Sequence, residues 1–206
     1  MKNLYYIMGK SASGKDTIYK KIKEKMTLKE YILYTTRPIR TGEKEGVDYH
    51  YISDDQMKEY SDKGKVIESR TYQTVHGPWT YATIADEQLN QSGDILTVGT
   101  LESYVKIKQY YGENSSVNVL PIYIEIDEKE RRNRALERER KQKQPKYAEM
   151  ERRLKADNID FSEENLKQAG ITDKQKFKNY NLKKCIAEIL DYINKEKIKE
   201  ESEQER

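Results

Sequence analysis

Apolar positions in this chain come in short bursts separated by long charged stretches. Leu4-Tyr5-Tyr6-Ile7-Met8 is an unbroken run stopped by Gly9, the pattern of a strand buried on both faces of a parallel sheet. Over 16–26 the period changes: Ile18 and Ile22 recur at helical spacing among Lys and Glu, which predicts an amphipathic helix. A strand is predicted over 31–35, then an ordered polar loop over 36–48 punctuated by Pro38, Gly42 and Gly46. Ser53 and Gln56 have capping-box spacing and open a predicted helix that closes near Gly64. Further strands are predicted over 66–72, 80–84, 94–98 and 119–126, with helices over 84–91 and 100–110. Beyond them lie the Arg-, Lys- and Glu-rich stretch 127–155, a short strand around Phe177 and a helix over 182–198. The charged tail after Ile198 is expected to fray.

Strands alternating with helices imply an α/β fold with a mainly parallel sheet in one domain spanning 1–206. The segment 34–83 breaks the rhythm and reads as a small β-rich insertion. Composition narrows the class. Hydrophobic residues make up 35% of the chain and charged residues 36%, so a soluble protein with a thin core is expected. No run is long enough to cross a bilayer, and the start of the chain enters a strand at once, so neither a membrane anchor nor a signal peptide is expected. Cys185 is the only cysteine, which excludes an internal disulfide, and with two histidines a structural zinc site is not expected; a reducing cytoplasm suits this usage. The 39 basic and 36 acidic residues nearly balance, unlike the basic excess of a nucleic-acid binder. The 17 tyrosines are scattered rather than grouped on a basic face.

The most specific chemistry begins where the first strand ends, at Gly9-Lys10-Ser11-Ala12-Ser13-Gly14-Lys15-Asp16-Thr17. The pattern G-x-x-x-x-G-K needs small residues because backbone N–H groups must wrap phosphate oxygens. The helix behind adds its positive end, and the lysine neutralises charge on the transferred group. This makes Gly9, Ser11, Ala12, Ser13, Gly14, Lys15, Asp16 and Thr17 the candidate ATP-binding set, with Lys15 catalytic. The residue after the lysine is usually Ser or Thr, whose hydroxyl holds Mg²⁺; here it is Asp16. Either Asp16 binds Mg²⁺ directly or through water, or it caps the helix while Thr17 or water takes the hydroxyl's place.

The stretch Thr35-Thr36-Arg37-Pro38-Ile39-Arg40-Thr41-Gly42-Glu43-Lys44-Glu45-Gly46-Val47-Asp48-Tyr49 places two arginines and a tyrosine where they can surround one phosphate. It resembles the acceptor-binding signature of guanylate kinases, T-T-R-x-x-R-x-G-E-x-x-G-x-D-Y, at every fixed position. By that resemblance Arg37, Arg40 and Tyr49 would hold the phosphate of GMP. Glu68 would read guanine, since a carboxylate can accept from both N1–H and the exocyclic amine. Three departures stand out. The family's Tyr-Gly-Thr/Ser element has no clear register here, leaving Tyr81 or His76, with Thr80 for the hydroxyl. Its L-D-I-D strand end is matched by Leu96-Thr97-Val98-Gly99, without the carboxylate. Its serine before T-T-R falls at Leu33 or Tyr34.

By the same resemblance the basic stretch is a mobile lid, about 128–157, whose arginines stabilise the moving phosphoryl group. Arg138 and Arg153 are the chosen candidates, with Arg134 and Arg152 close behind. Asn179 would present its backbone to the adenine of ATP. The expected fold is a three-layer P-loop NTPase fold with an acceptor-binding insertion and a helical lid. The expected reaction is ATP-dependent phosphorylation of GMP or dGMP with Mg²⁺, in a monomer or weak homodimer. Two other readings stay open: a kinase for another phosphorylated acceptor, such as a different nucleotide or a ribose bisphosphate, and a non-catalytic binding module. An intact phosphate loop speaks against the latter.

Overall fold

The computed structural model describes residues 2–74, 77–112 and 116–204. In chain order it begins with β1 (Lys2–Met8), α1 (Lys15–Lys25), β2 (Lys29–Glu30), β3 (Tyr34–Thr35), β4 (His50–Tyr51) and α2 (Asp54–Asp62). Then come β5 (Val66–Thr74), β6 (Gly77–Ile84), α3 (Glu87–Asn90), β7 (Ile95–Gly99), α4 (Leu101–Tyr111) and β8 (Val117–Glu125). Helices α5 (Glu128–Arg140), α6 (Tyr147–Asp160) and α7 (Glu163–Gln168) precede a 3-10 turn at Asp173–Gln175, β9 (Lys176–Lys178) and α8 (Leu182–Gln204).

The main sheet is fully parallel, in the order β2-β7-β1-β8-β9. Its central strand explains the three layers. Leu4, Tyr6 and Met8 of β1 face one way, against Leu101, Tyr104 and Ile107 of α4 and against Phe161 and Leu166. Tyr5 and Ile7 face the other way, against Ile18 and Ile22 of α1 and Ile186, Ile189 and Ile193 of α8. Burying each Leu or Ile contributes about 1.5–3 kcal/mol, so an apolar strand between two helical layers is the strongest organiser this chain has. No helix among the described residues is long and apolar enough to cross a membrane.

The predicted strand over 31–35 divides between two sheets. Lys29–Glu30 pairs with β7 of the main sheet, whereas Tyr34–Thr35 joins a second sheet of order β4-β3-β6-β5. Tyr31 marks the crossing: its buried hydroxyl donates to the Ile84 carbonyl at 2.8 Å and accepts from the Ile84 N–H at 2.6 Å, where the chain returns. The second sheet covers Tyr34, Ala82 and Ile84 with Met57 and Tyr60 of α2. The capping box that begins α2 is present, with Ser53 and Gln56 exchanging bonds of 3.1 and 2.9 Å.

One helical expectation changes and one helix is added. The helix predicted over 84–91 shrinks to α3, because Ile84 still pairs in β6 and Asp86 supplies the N-cap. Helix α7 had no strong periodicity; Ser162 caps it and Leu166 anchors it in the core. The basic stretch forms α5 and α6, which meet through Ala135, Met150 and Leu154 and rest on Ala12.

Candidate active site

The loop between β1 and α1 lies at the carboxyl edge of the parallel sheet, where α/β folds gather ligands. Its shape depends on backbone that only small residues allow. Gly14 has φ 92°, and a side-chain carbon there would strike the Asn179 amide. At Gly9 such a carbon would lie 2.7 Å from the Ile124 carbonyl, so β1 and β8 close too tightly for anything but glycine. Ala12 also takes a left-handed φ of 62°. The N–H groups of Lys15, Asp16 and Thr17 open α1 with no carbonyl a turn behind them, which makes an anion cradle. Ser13 Oγ is buried without a hydrogen-bond partner, a polar atom aimed into the loop itself.

Helix α1 has Gly14 as N-cap and no side-chain capping bond, so Asp16 does not cap it. The Asp16 carboxylate is largely exposed, with Lys15 Nζ 4.0 Å away, and Thr17 is exposed beside it. A carboxylate and a hydroxyl are hard oxygen donors of the kind Mg²⁺ takes together with phosphate oxygens and water. Among the described residues no cluster of three His, Cys, Asp or Glu forms a complete protein metal cage.

On the acceptor side, strand alternation selects the chemistry. Glu68 and Arg70 of β5 stand opposite Thr83 and Tyr81 of β6, all on one face. Thr71 and Thr80 pair on the other face, where their hydroxyls bond each other at 2.8 Å. Thr80 therefore cannot serve the pocket as predicted. The hydroxyl beside Glu68 belongs to Thr83, which donates to Oε1 at 2.9 Å. Tyr81, which accepts from Arg37, and Thr83 flank Ala82 on the face of Glu68; His76, the other candidate, lies outside the described residues.

Arg37 is buried, with one N–H of Nη2 left unengaged among the described residues. It forms a fork with Glu43 at 2.9 and 3.0 Å, donates to Tyr81 Oη at 3.0 Å, and lies over the rings of Tyr49 and Tyr51 at 5.5 and 5.6 Å. Glu43 also accepts from the Arg40 N–H and the Tyr51 hydroxyl, both at 2.8 Å. The Arg37 fork holds the Glu43 carboxyl down to about 2. Arg40 is exposed on the same loop. Burial raises the Tyr49 phenol above its ordinary value; Tyr81 and the Asp16 carboxylate add to the rise and Arg37 opposes it.

The lid arginines are placed differently from expectation. Arg138 is exposed in the last turn of α5, without a hydrogen bond or ion pair among the described residues. Arg153 pairs with Glu149 of its own helix at 3.0 Å and is mostly exposed. Arg134 is the one that approaches the loop, its Nη1 3.7 Å from where a Gly14 side chain would begin. Its Nη2 donates to the Asn179 carbonyl at 3.3 Å. The Asn179 N–H donates to the Glu125 carbonyl at 2.8 Å, which leaves its carbonyl as the backbone group able to accept. Its side-chain amide donates to the Ser13 carbonyl at 2.8 Å and braces the loop.

A second brace comes from α6. Asp157 accepts from the Ser11 N–H at 2.8 Å, and Asn158 accepts from Lys10 Nζ at 2.8 Å. Fully buried Arg131 ties both to Glu128. Neither Asp157 nor Thr83 carried a motif of its own. Only its place in the Tyr-x-Thr spacing could have found Thr83, and nothing in the sequence signals Asp157.

A parallel sheet whose first strand runs through this glycine-lysine loop into a helix defines a P-loop NTPase fold. The sequence profile of the family described as guanylate kinase matches residues 1–175, and the chain belongs to that family. Guanylate kinase of Clostridioides difficile (strain 630) is 34% identical over 124 residues, covering 59% of this chain and 60% of that protein. That of Prochlorococcus marinus subsp. pastoris (strain CCMP1986 / NIES-2087 / MED4) is 26% identical over 194 residues, 94% and 97% of the two chains. The matches to the C. difficile protein and to guanylate kinase of Legionella pneumophila (strain Lens) span only 60% and 57% of those relatives. The crystal structure of guanylate kinase from Anaplasma phagocytophilum shares the fold, with TM-score 0.59 and 18% identity over 94% of this chain and 86% of that one.

Proposed function

We propose that this protein transfers the γ-phosphoryl group of ATP to GMP or dGMP, giving ADP and the guanosine diphosphate. The observation that carries this reading is the acceptor loop itself: buried Arg37, forked to Glu43 and lying over the rings of Tyr49 and Tyr51, in the same chain as a glycine-lysine phosphate loop that opens α1. ATP would lie with its phosphates in the loop amides and on Lys15. GMP would lie on the second sheet, its phosphate met by Arg37, Arg40 and Tyr49 and its base by Glu68. Residues 34–83 then act as the acceptor-binding insertion and 128–157 as the lid. Mg²⁺, held by the phosphates with Asp16 and Thr17, would supply charge neutralisation on the triphosphate.

No side chain needs to act as a strong base, because the acceptor phosphate is already an anion. The protein's task is to align two phosphates and offset their charge. Lys15 and Arg134 are the cations best placed for that. The absence of a membrane-spanning helix among the described residues and the single cysteine are in keeping with a cytoplasmic enzyme.

Coupled ADP release with a panel of monophosphates tests the reading. Turnover is expected with GMP and dGMP and not with AMP, CMP or UMP. Inactivity with both guanine nucleotides beside clear turnover of another acceptor would sink it.

A further inference from the structure

Glu68 is wholly enclosed, and its carboxylate is not bare. Arg70, two residues along the same face of β5, donates from Nε to Oε2 at 3.2 Å and from Nη2 to Oε1 at a longer 3.5 Å. The other end of the guanidinium is held by Thr100, which accepts from Nη1 at 2.8 Å and caps α4 just beyond the carboxyl end of β7. With Thr83 also on Oε1, the carboxylate keeps little spare accepting capacity. The side chain of Arg70 is 11% exposed and that of Glu68 is 0%, so Arg70 is the outer member of the pair. A guanidinium has five N–H donors, and three are used here, which leaves one on each terminal nitrogen.

We propose that Arg70 is a specificity-determining residue of the acceptor pocket, reading the O6/N7 edge of guanine with its two remaining N–H groups while Glu68 beneath it takes a ring N–H. This rests on the acceptor being a guanine nucleotide. The chemistry is selective. O6 and N7 of guanine are adjacent acceptors that match an arginine fork, whereas adenine presents an amine donor at the position of O6. The same pair accounts for a pocket that lacks a carboxylate at Gly99.

The test compares GMP with 7-deaza-GMP, in which C–H replaces N7, by kcat/KM in the full chain and in Arg70→Lys and Arg70→Ala. The wild-type chain is expected to disfavour 7-deaza-GMP by about tenfold or more, the discrimination a fork to O6/N7 provides. Both variants should bring that ratio close to one while KM for ATP stays put, a pattern that loosened packing would not produce. Indifference of the wild-type chain to 7-deaza substitution, or an unchanged ratio in Arg70→Lys, overturns the proposal even if Arg70→Ala does not fold. A wild-type chain that turns over neither nucleotide overturns the guanine reading itself, and this inference with it.

Discussion

The two halves of the site are built from different materials. On the nucleotide side the binding groups are backbone N–H groups at the start of α1, shaped by Gly9 and Gly14, and among the described residues Lys15 has no ion-pair partner closer than Asp16 at 4.0 Å. On the acceptor side the groups are side chains already bound to one another: Arg37 to Glu43 and Tyr81, Glu68 to Arg70 and Thr83. A phosphate can enter the first half by displacing water. In the second half an incoming ligand must share or replace existing partners, so polarity there is prearranged at the cost of freedom. One half offers donors in waiting, the other a network in balance.

That contrast makes removal of Lys15 almost purely chemical. Lys15→Ala should lower kcat by about 10²–10³-fold or more in the coupled ADP assay, with the thermal midpoint nearly unmoved. A comparable loss of stability would show that the loop is as interlocked as the acceptor side. Next come the lid arginines, which divide by what they touch. Arg134→Ala, which loses the cation beside Gly14, should cost about 10²-fold in kcat. Arg153→Ala, which breaks only an exposed pair within α6, should stay within a few-fold. Equal losses would place Arg153 at the moving phosphoryl group after all.

The opposite signature is expected at Glu43. Glu43→Gln leaves the buried Arg37 guanidinium short of its fork and should cost about 3 kcal/mol in urea unfolding at pH 7. Its carboxyl stands at about 2 in the folded chain against an ordinary 4.5. The contribution is therefore full above pH 4.5 and is lost as pH falls through about 2. The gap between wild type and Glu43→Gln should close over that window. A gap that does not narrow with acid would mean that Glu43 acts through packing rather than charge.

The same division governs what could be read from the sequence. The strand of β1, the phosphate loop and the amphipathic α1 were legible because backbone geometry and burial restrict residue type position by position. The acceptor signature was legible as a string, but its working partners were not. Glu43 looked like one more motif residue and proved to be the anchor of Arg37. Thr80 was the hydroxyl chosen from the sequence, and only the pairing of β5 with β6 shows that Thr83 is the one that shares a face with Glu68. The lid arginines were the least legible. On α5 and α6 charged residues lie on every side, and which cation meets the loop depends on how two helices seat on Ala12.

Gly99 ends β7 beside Met8, at the rim of the pocket, and a side-chain carbon there would collide with the Tyr6 hydroxyl. Tyr6 is fully buried with its ring against Tyr104, so it cannot swing aside cheaply. Neither position can therefore drift alone. An acidic residue at 99 becomes tolerable only after the tyrosine has been trimmed, and trimming the tyrosine first opens a cavity under the rim. A designer who wishes to place a carboxylate at 99 must therefore change both residues at once.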